Sequence, residues 1–506
     1  MEPFFWWSDE QKKFSRELSK FVDEHMGMAE EAWWRREFPW ELHALIAERG
    51  YYGAGIPKEY GGLGLGTTGA CIAGEEFCRM LGVGRQYIGC MLAGLHQITR
   101  FGSEEQKRKF LGRIAKGEMG AVAITEPFVG TDVAATETTA RRDGNKYIIT
   151  GKKRFVVGAG VANRYMLYAK TSYSPEDKRS WRHLTAFIVE KGMPGFTTEK
   201  INEIIGFENT LNGCLDLNEV PVPVENRIGE EGEGWRVMMT GLNFERTCSS
   251  SQACGWLHEL VRYAVAYSQR RVQFGSRTID MVNNQFKIAE LIAKLHRARL
   301  GTFYAAYTLD MGQEGAIEAS TAKMCNQYDC TEGALDAIQV MGGDATTKFY
   351  PLEEKLHQSK IEQIAAGTQE AQKLIIFRQA LRQMSEELKM PYRVRHKELG
   401  VPISTVRGKK QSEIDEEKLL KVLAEDYTVN PGLYMSREDL KEEFDVSNEE
   451  LDKILVSLEQ KGSVNLHRGR GGKIELAKAT YPGLNKANPS EYYRWFPSWV
   501  REKDIF

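Results

Sequence analysis

Apolar residues recur at helical spacing in residues 10–26 (EQKKFSRELSKFVDEHM) and 39–50 (PWELHALIAERG), and the second run stops at Gly50, where a helix cap is expected. A Gly- and Pro-rich loop, IPKEYGGLGLG, separates these from two more helical runs. The second of them, SEEQKRKFLGRIAKGE, has Ser103 as N-cap and Glu105 and Lys109 four apart, a spacing that supports a helix. Between about 120 and 232 the texture changes. Short alternating segments (KYIITG, RYMLYAKTS, HLTAFIVE, GCLDLNEVPVP) are separated by Gly, Asn, Asp and Pro, the punctuation of antiparallel strands. Helical periodicity returns at Gly234 and runs to about Lys389, with turns near 275 and 342. The pattern predicts an α+β chain. An N-terminal helical domain spans 1–118, a middle antiparallel, barrel-like β domain 119–232, and a C-terminal four-helix bundle 233–389. Residues 390–412 read as a linker. Beyond it EEKLLKVLAED, SREDLKEEFD and SNEELDKILVSLEQKG read as three helices, and SVNLHRGRGGKIELAKA as a hairpin turning at Gly471-Gly472. That order predicts a winged-helix-like appendage over 413–506. Its last segment, EYYRWFPSWVREKDIF, is apolar enough to be expected against its own chain or a partner.

Composition narrows the class without naming a chemistry. At 506 residues, with 42% hydrophobic and 27% charged residues, the chain can bury several sizeable cores. A formal charge of −2 supplies no global field for nucleic acid or an anionic membrane. The eight cysteines (71, 78, 90, 214, 248, 254, 325, 330) form no C-x-x-C and no metal-like cluster, so reduced thiols and no metal are expected. No apolar run approaches the roughly 18 residues of a membrane span, and the N-terminus lacks signal or transit character. A cytoplasmic location is the resulting expectation.

Five motifs in order carry a resemblance. Ala123-Ile124-Thr125-Glu126-Pro127-Phe128-Val129-Gly130-Thr131-Asp132 stands at the entry to the β domain, and Gly232-Glu233-Gly234-Trp235 opens the second helical domain. Arg271-Val272-Gln273-Phe274-Gly275, Gln339-Val340-Met341-Gly342-Gly343 and Ile364-Ala365-Ala366-Gly367-Thr368-Gln369-Glu370 follow. Together, over about 375 residues, they resemble the acyl-CoA dehydrogenases. The resemblance implies FAD as cofactor, an acyl-CoA as substrate, an electron-transfer flavoprotein as partner and a homotetramer or homodimer. It implies that Ile124, Thr125, Gly130, Thr131, Phe155 and Val157 surround the flavin. Arg271, Gln273, Phe274, Gln285, Gln339, Gly342 and Gly343 then serve the diphosphate and adenine end, Arg271 reaching the FAD of a neighbouring subunit. Thr368 and Glu370 complete the flavin set, and Thr131, Asn243, Arg246, Ala366 and Gly367 are implied at the substrate. A Gly-bearing loop lets N–H groups approach an anionic ring edge, and Arg with Gly-rich backbone suits a diphosphate.

Many members of that family carry the catalytic glutamate immediately before the Gly-Thr pair; here the position is Ala366. Removing an α-proton needs a carboxylate opposite the flavin, in a site that excludes water. The isovaleryl and long-chain branches place that carboxylate on an L-x-x-E-R helix, and Leu242-Asn243-Phe244-Glu245-Arg246 is similar to it. The resemblance therefore implies Glu245 as the base, while Ala366 keeps its backbone N–H for the thioester carbonyl. Val157 departs from the Thr or Ser expected near the flavin N5 and cannot donate a hydrogen bond. Phe128 is bulkier than the family's usual residue, and Arg154 is an unexpected base beside the flavin. Gln86-Tyr87-Ile88-Gly89-Cys90 is expected at the pocket floor.

Two other readings accompany the dehydrogenase. Val157 leaves room for a flavin monooxygenase, against which Glu245 counts. The appendage invites comparison with DNA-associated relatives of the alkylation response. Residues 401–506, however, hold 17 Lys+Arg and 19 Asp+Glu, and the would-be recognition helix carries Glu449, Glu450, Asp452 and Glu459 against Lys453 and Lys461. Such a face repels phosphates, so nucleic acid is not the expected partner.

Overall fold

The computed structural model describes residues 3–383, 411–429, 432–469 and 471–487, and divides the chain into two compact units, Met1–Met384 and Ser385–Phe506. The first unit begins with α1 (Asp9–Trp34), α2 (Trp40–Glu48), α3 (Gly66–Phe77), α4 (Val83–Gln86), α5 (Leu95–Phe101) and α6 (Glu104–Ala115). Ser8 and Ser103 close capping boxes with Gln11 and Gln106, satisfying the first free N–H groups of α1 and α6. Gly50 adopts φ 70° just beyond α2, as its position predicts. The i,i+4 spacing on α6 does not become a pair: Lys109 donates to Glu190 at 3.0 Å, across the domain boundary, instead of to Glu105. Helix α3 has no solvent-facing side. It is buried from Thr67 to Phe77, and its N-terminal amides of Thr67 and Thr68 donate to the Asp310 carboxylate at 2.6 and 3.0 Å. Its two acids are paired inside, Glu76 with Arg79 and Glu75 with Arg299.

Eight strands follow: β1 (Gly120–Ala123), β2 (Thr139–Asp143), β3 (Lys146–Val156), β4 (Arg164–Lys170), β5 (Leu184–Glu190), β6 (Phe196–Ile201), β7 (Gly213–Pro223) and β8 (Arg227–Ile228). They form one sheet in the order β6-β7-β3-β2-β4-β5-β8, with β1 also on β4. The purely antiparallel expectation needs correction, because β1 runs parallel to β4 and β2 touches β4 in parallel. Alternation in the sequence reports which face a residue takes, not the direction of its neighbour. The short helix α7 (Pro175–Arg179), capped by Ser174, also escaped the pattern.

The second helical part comprises α8 (Gly234–Ser268), α9 (Val282–Asp310), α10 (Ala316–Met341), α11 (Leu352–Glu362) and α12 (Gln369–Gln383). Leu257, Leu260, Leu291, Leu295, Ala334 and Ala337 fill the space between the long helices. Gly333 permits that approach, since a Cβ there would lie 2.8 Å from a Leu257 methyl.

The second unit has helices Glu416–Val429, Arg437–Glu443 and Asn448–Gln460 and a three-stranded sheet. Ile474–Ala479 lies between Val464–Arg468 and Met435–Ser436, both antiparallel to it. Leu419, Leu423, Leu440, Leu451 and Leu455 belong to its core. A short helix, Tyr481–Ala487, follows without a periodic signal in the sequence. Most of the expected linker, Arg470 and the aromatic tail lie outside the described residues.

Candidate functional site

Helix α8 carries Leu242 to Arg246 as one continuous stretch. The Glu245 carboxylate is half-buried and, among the described residues, makes no hydrogen bond or ion pair. Burial pushes its pKa above the ordinary glutamate value; of the surrounding charges, Arg85 opposes the shift first, and Glu362 adds to it. An unpaired acid at a partly open position is what a proton acceptor requires, and a helix-surface salt bridge is not.

Its neighbour Arg246 is buried. Arg246 Nε donates to the Ala366 carbonyl at 3.3 Å and Nη1 to Asn243 Oδ1 at 3.0 Å, while Asn243 Nδ2 donates to Glu314 O at 3.0 Å. Burial lowers Arg246 to about 10, against the pull of Glu245. These bonds join α8 to the loop 364–368. That loop is clamped by its carbonyls: Lys323 Nζ donates to Gly367 O at 2.7 Å, and Gln372 Nε2 reaches Gly367 O at 3.0 Å and Ala366 O at 3.3 Å. The N–H of Ala366 donates to no protein acceptor among the described residues. Ala366 sits at φ 52° and Gly367 at φ 95°. A non-glycine residue at positive φ costs about 1–2 kcal/mol, and here it turns one amide away from its own chain. Burial also lowers the Lys323 ammonium, to about 8.

The β domain supplies a second wall. Glu126 is buried and receives the N–H groups of Glu137 and Thr138 at 2.6 and 3.1 Å and the Lys153 ammonium at 2.7 Å. Burial would raise its carboxyl, but Lys153 outweighs that and holds it below the usual range. Glu126 is thus the anchor of the 124–131 loop. Ile124 and Thr125 are half-buried, Gly130 and Thr131 are exposed, and the N–H groups of Gly130 and Thr131 meet no protein acceptor among the described residues. A bulge between Lys153 and Val156 on β3 turns Phe155 to φ 57°, leaving its ring 48% exposed with the Arg154 guanidinium 4.3 Å from the centroid. Val157 faces the N-terminal helices. A π-turn over Tyr87–Met91, with Leu92 N–H bonded to Tyr87 O at 3.1 Å, brings Gly89 so near that a Cβ would lie 2.6 Å from Val157 Cγ1.

The remaining predicted residues gather elsewhere. Arg271, Gln273 and Phe274 occupy an exposed hairpin of β9 (Val272–Gln273) and β10 (Ser276–Arg277), Phe274 being 98% exposed. Gln285 Nε2 donates to Ile279 O at 3.2 Å beside it. Gln339, Gly342 and Gly343 are exposed at the end of α10, where Tyr267 at the end of α8 donates to Asp344 at 2.6 Å. This group lies past the C-terminus of α8, about 35 Å along the helix from Glu245 at 1.5 Å per residue. Thr368 Oγ1 accepts the Ala371 amide at 3.3 Å at the start of α12, and Glu370 is exposed on the same turn.

Four charged residues at or beside the site carry no sequence motif. Arg85 meets Glu362 at 2.7 Å, both inside the protein, and Glu362 also accepts from Ser249 at 2.8 Å. Lys323 and Lys153 hold the two loops. Glu362 stands just before the 364–370 motif, at the end of α11, where an acid in a helical stretch reads as a solvated one. Among the described residues no group of His, Cys, Asp and Glu could hold a metal ion, and no helix is long and apolar enough to cross a membrane.

Comparison with known proteins covers most of the first unit. The families described as acyl-CoA dehydrogenase N-terminal, middle and C-terminal domain match residues 8–118, 121–220 and 232–381. An acyl-CoA dehydrogenase of Bacillus subtilis (strain 168) is 35% identical over 346 residues, covering 67% of this chain and 89% of the relative. A mitochondrial isovaleryl-CoA dehydrogenase of Oryza sativa subsp. japonica is 32% identical over 383 residues, 74% of this chain and 92% of the relative. Among solved structures, the FAD complex of PigA superposes with a TM-score of 0.70 at 26% identity, over 75% of this chain and 99% of that one.

Proposed function

From its membership of the acyl-CoA dehydrogenase family, an oxidoreductase family whose three domains it contains, we propose that this chain oxidises an acyl-CoA to the 2-enoyl-CoA with Glu245 as the α-proton base. The observation that supports this most is the Glu245 carboxylate itself, unpaired, raised in pKa and next to the Arg246–Ala366 link. The β-domain rim fits FAD: free N–H groups at Gly130 and Thr131, an exposed Phe155 ring and a half-open Val157 suit one face and edge of a flavin. FAD, when bound, supplies the acceptor for the β-hydrogen as hydride. The protein does the rest. The free Ala366 N–H polarises the thioester carbonyl, which acidifies the α-proton and receives the enolate-like charge. Glu245 takes that proton. Arg246, Gln372 and Lys323 fix the loop by its carbonyls so that the amide stays aimed inward.

The diphosphate-end residues stand too far along α8 to reach the same dinucleotide as the Glu245 end of one chain. We therefore read the enzyme as a homo-oligomer in which Arg271, Gln273 and Phe274 serve the FAD of a second copy. Electrons are assigned to an electron-transfer flavoprotein. The winged-helix-like appendage expected over 413–506 is read as a module that contacts protein. Glu449 and Glu450 are exposed there, and Arg468 is engaged by Glu459, its Nη1 donating at 2.8 Å. Salt-dependent binding of the full chain to duplex DNA would overturn that assignment.

The test of the main reading is anaerobic mixing of the flavin-loaded protein with a panel of saturated acyl-CoAs while the flavin's visible absorbance is followed. Bleaching is expected with at least one. Absence of bleaching across short, branched and long chains, with turnover seen instead in oxygen, would favour the monooxygenase reading that Val157 leaves open.

A further inference from the structure

Trp181, just after α7, stacks on Trp235 in the first turn of α8, with ring centroids 4.3 Å apart and planes 25° from parallel. That stack uses one face of the indole, yet Trp181 is 47% exposed, so its other face lies open. The residue stands at φ 61°, a conformation that bulky side chains rarely adopt and that recurs at ligand clamps. Its neighbours fix it there. The Arg182 amide donates to Asp177 O at 2.7 Å, and buried His183 donates through Nε2 to Ala134 O at 2.9 Å, which ties this turn to the loop of Thr131. Gly232 comes so close that a Cβ would lie 2.8 Å from Arg182 O. Lys178 and Arg182 are exposed beside Trp181 in the chain and make no ion pair among the described residues. Acids of the same segments are engaged, Glu176 by Arg179 at 2.7 Å, Asp177 by Ser172 and Glu233 by Arg236 at 3.3 Å. Trp235 precedes Glu245 by ten residues of one helix, about 15 Å along its axis.

Resting on the reading of the substrate as an acyl-CoA, we infer that the CoA adenine stacks on the open face of Trp181, with Lys178 and Arg182 receiving the phosphates. This cradle selects CoA over the same thioester carried on a protein-bound phosphopantetheine. An extended pantetheine arm covers the distance between Glu245 and Trp235, so a chain that reacts at one reaches the other. It runs towards the N-terminus of α8, whereas Arg271, Gln273 and Phe274 stand past the opposite end, and the two nucleotides do not compete for one surface. Every base has a π face that an open aromatic ring can hold, and two cations without acid partners suit phosphate oxygens. A carrier protein's arm ends in one phosphodiester with no base, so it leaves Trp181 uncovered. Sequence pattern hides the cradle, because its two rings come from distant segments.

The experiment uses the flavin-loaded full chain and two thioethers, which lack the carbonyl and cannot react. Binding of S-hexyl-CoA and S-hexyl-4′-phosphopantetheine is compared by calorimetry. The CoA compound is expected to bind at least about tenfold tighter. Trp181→Ala should bring the two within a few-fold of each other by weakening the CoA compound alone, and Trp181→Phe, which keeps a ring, should retain most of the preference. Equal affinities in the parent overturn the proposal, and so does binding of neither compound. Weakening of both alike by Trp181→Ala gives the residue a structural role and also overturns it, as does a Lys178→Ala/Arg182→Ala variant that binds S-hexyl-CoA as the parent does. The acyl-CoA panel is run in parallel for flavin bleaching. Bleaching without an adenine preference removes this inference and leaves the dehydrogenase standing; an adenine preference without bleaching by any thioester upholds the cradle and removes the dehydrogenase reading.

Discussion

Replacing Lys153 with methionine keeps the length and apolar volume of the side chain and deletes one buried cation. Lys153 Nζ donates to Glu126 Oε1 at 2.7 Å, Tyr168 O at 2.9 Å and Ile124 O at 3.3 Å, and no part of it is open to solvent beyond a trace. The variant leaves the Glu126 carboxylate buried with only the Glu137 and Thr138 amides. Breaking one side of a buried pair costs about 3–5 kcal/mol, because the remaining charge is uncompensated. With about 2.1 cal/mol/K of unfolding entropy per residue over the roughly 380 residues of the first unit, that lowers its unfolding midpoint by about 5 °C. Glu126 anchors the loop holding Thr125, Gly130 and Thr131, so the same variant should lose FAD on desalting. Lys153→Met/Glu126→Gln leaves no charge buried and should recover most of both losses. Circular dichroism melts and the flavin-to-protein absorbance ratio read the two effects. A single variant that melts within about 1 °C of the parent with full FAD refutes the reasoning, as does a double variant no better than the single.

Three further outcomes follow from the site. As the proposed base Glu245 must act deprotonated, and burial raises its pKa, so the rate of flavin reduction should climb with pH through a midpoint above 4.5, the ordinary value, and Arg85→Met should move it further alkaline; a rapid-mixing profile with a midpoint at or below 4.5 contradicts this. Ala366 holds a Cβ at positive φ beside the loop amide, so Glu245→Gln/Ala366→Glu should regain at least about tenfold in reduction rate over Glu245→Gln; no gain means the two positions do not address the same carbon. His96, stacked on Phe244 at 4.9 Å, is lowered by burial to about 4, so the unfolded chain takes its proton first as pH falls from 6.5, eroding about 3 kcal/mol by pH 4. His96→Phe should remove that part of the slope in urea midpoints measured at the two pH values.

The sequence shows its local decisions and hides its distant ones. Helix ends at Gly50 and Ser103 follow from capping chemistry within a few residues, and strand segments follow from alternation. Glu245 and Ala366 stood out because a family pattern sets them against each other. The partners that give these residues their setting are another matter. Lys153 meets Glu126 across 27 positions, Arg246 meets Ala366 across 120, and Arg85 finds Glu362 from another helical region altogether. No periodicity encodes such meetings. Lysines, acids and glutamines on helices look solvated, and α3, buried along nearly its whole length, has no solvent-facing side to betray its orientation. Lys109 shows the same limit from the other side, since a correct i,i+4 spacing to Glu105 lost to Glu190 across the domain boundary.

The central claim is that Glu245 is the base, and the most direct measurement is flavin reduction by Glu245→Gln. The variant keeps the side-chain shape and removes the proton acceptor. With FAD retained and an acyl-CoA bound at unchanged affinity, anaerobic rapid mixing should show reduction slowed by about 10²–10⁴-fold, the range a positioned base supplies. Reduction within a few-fold of the parent rate, with FAD and ligand bound, would take Glu245 out of the reaction and the proposed mechanism with it.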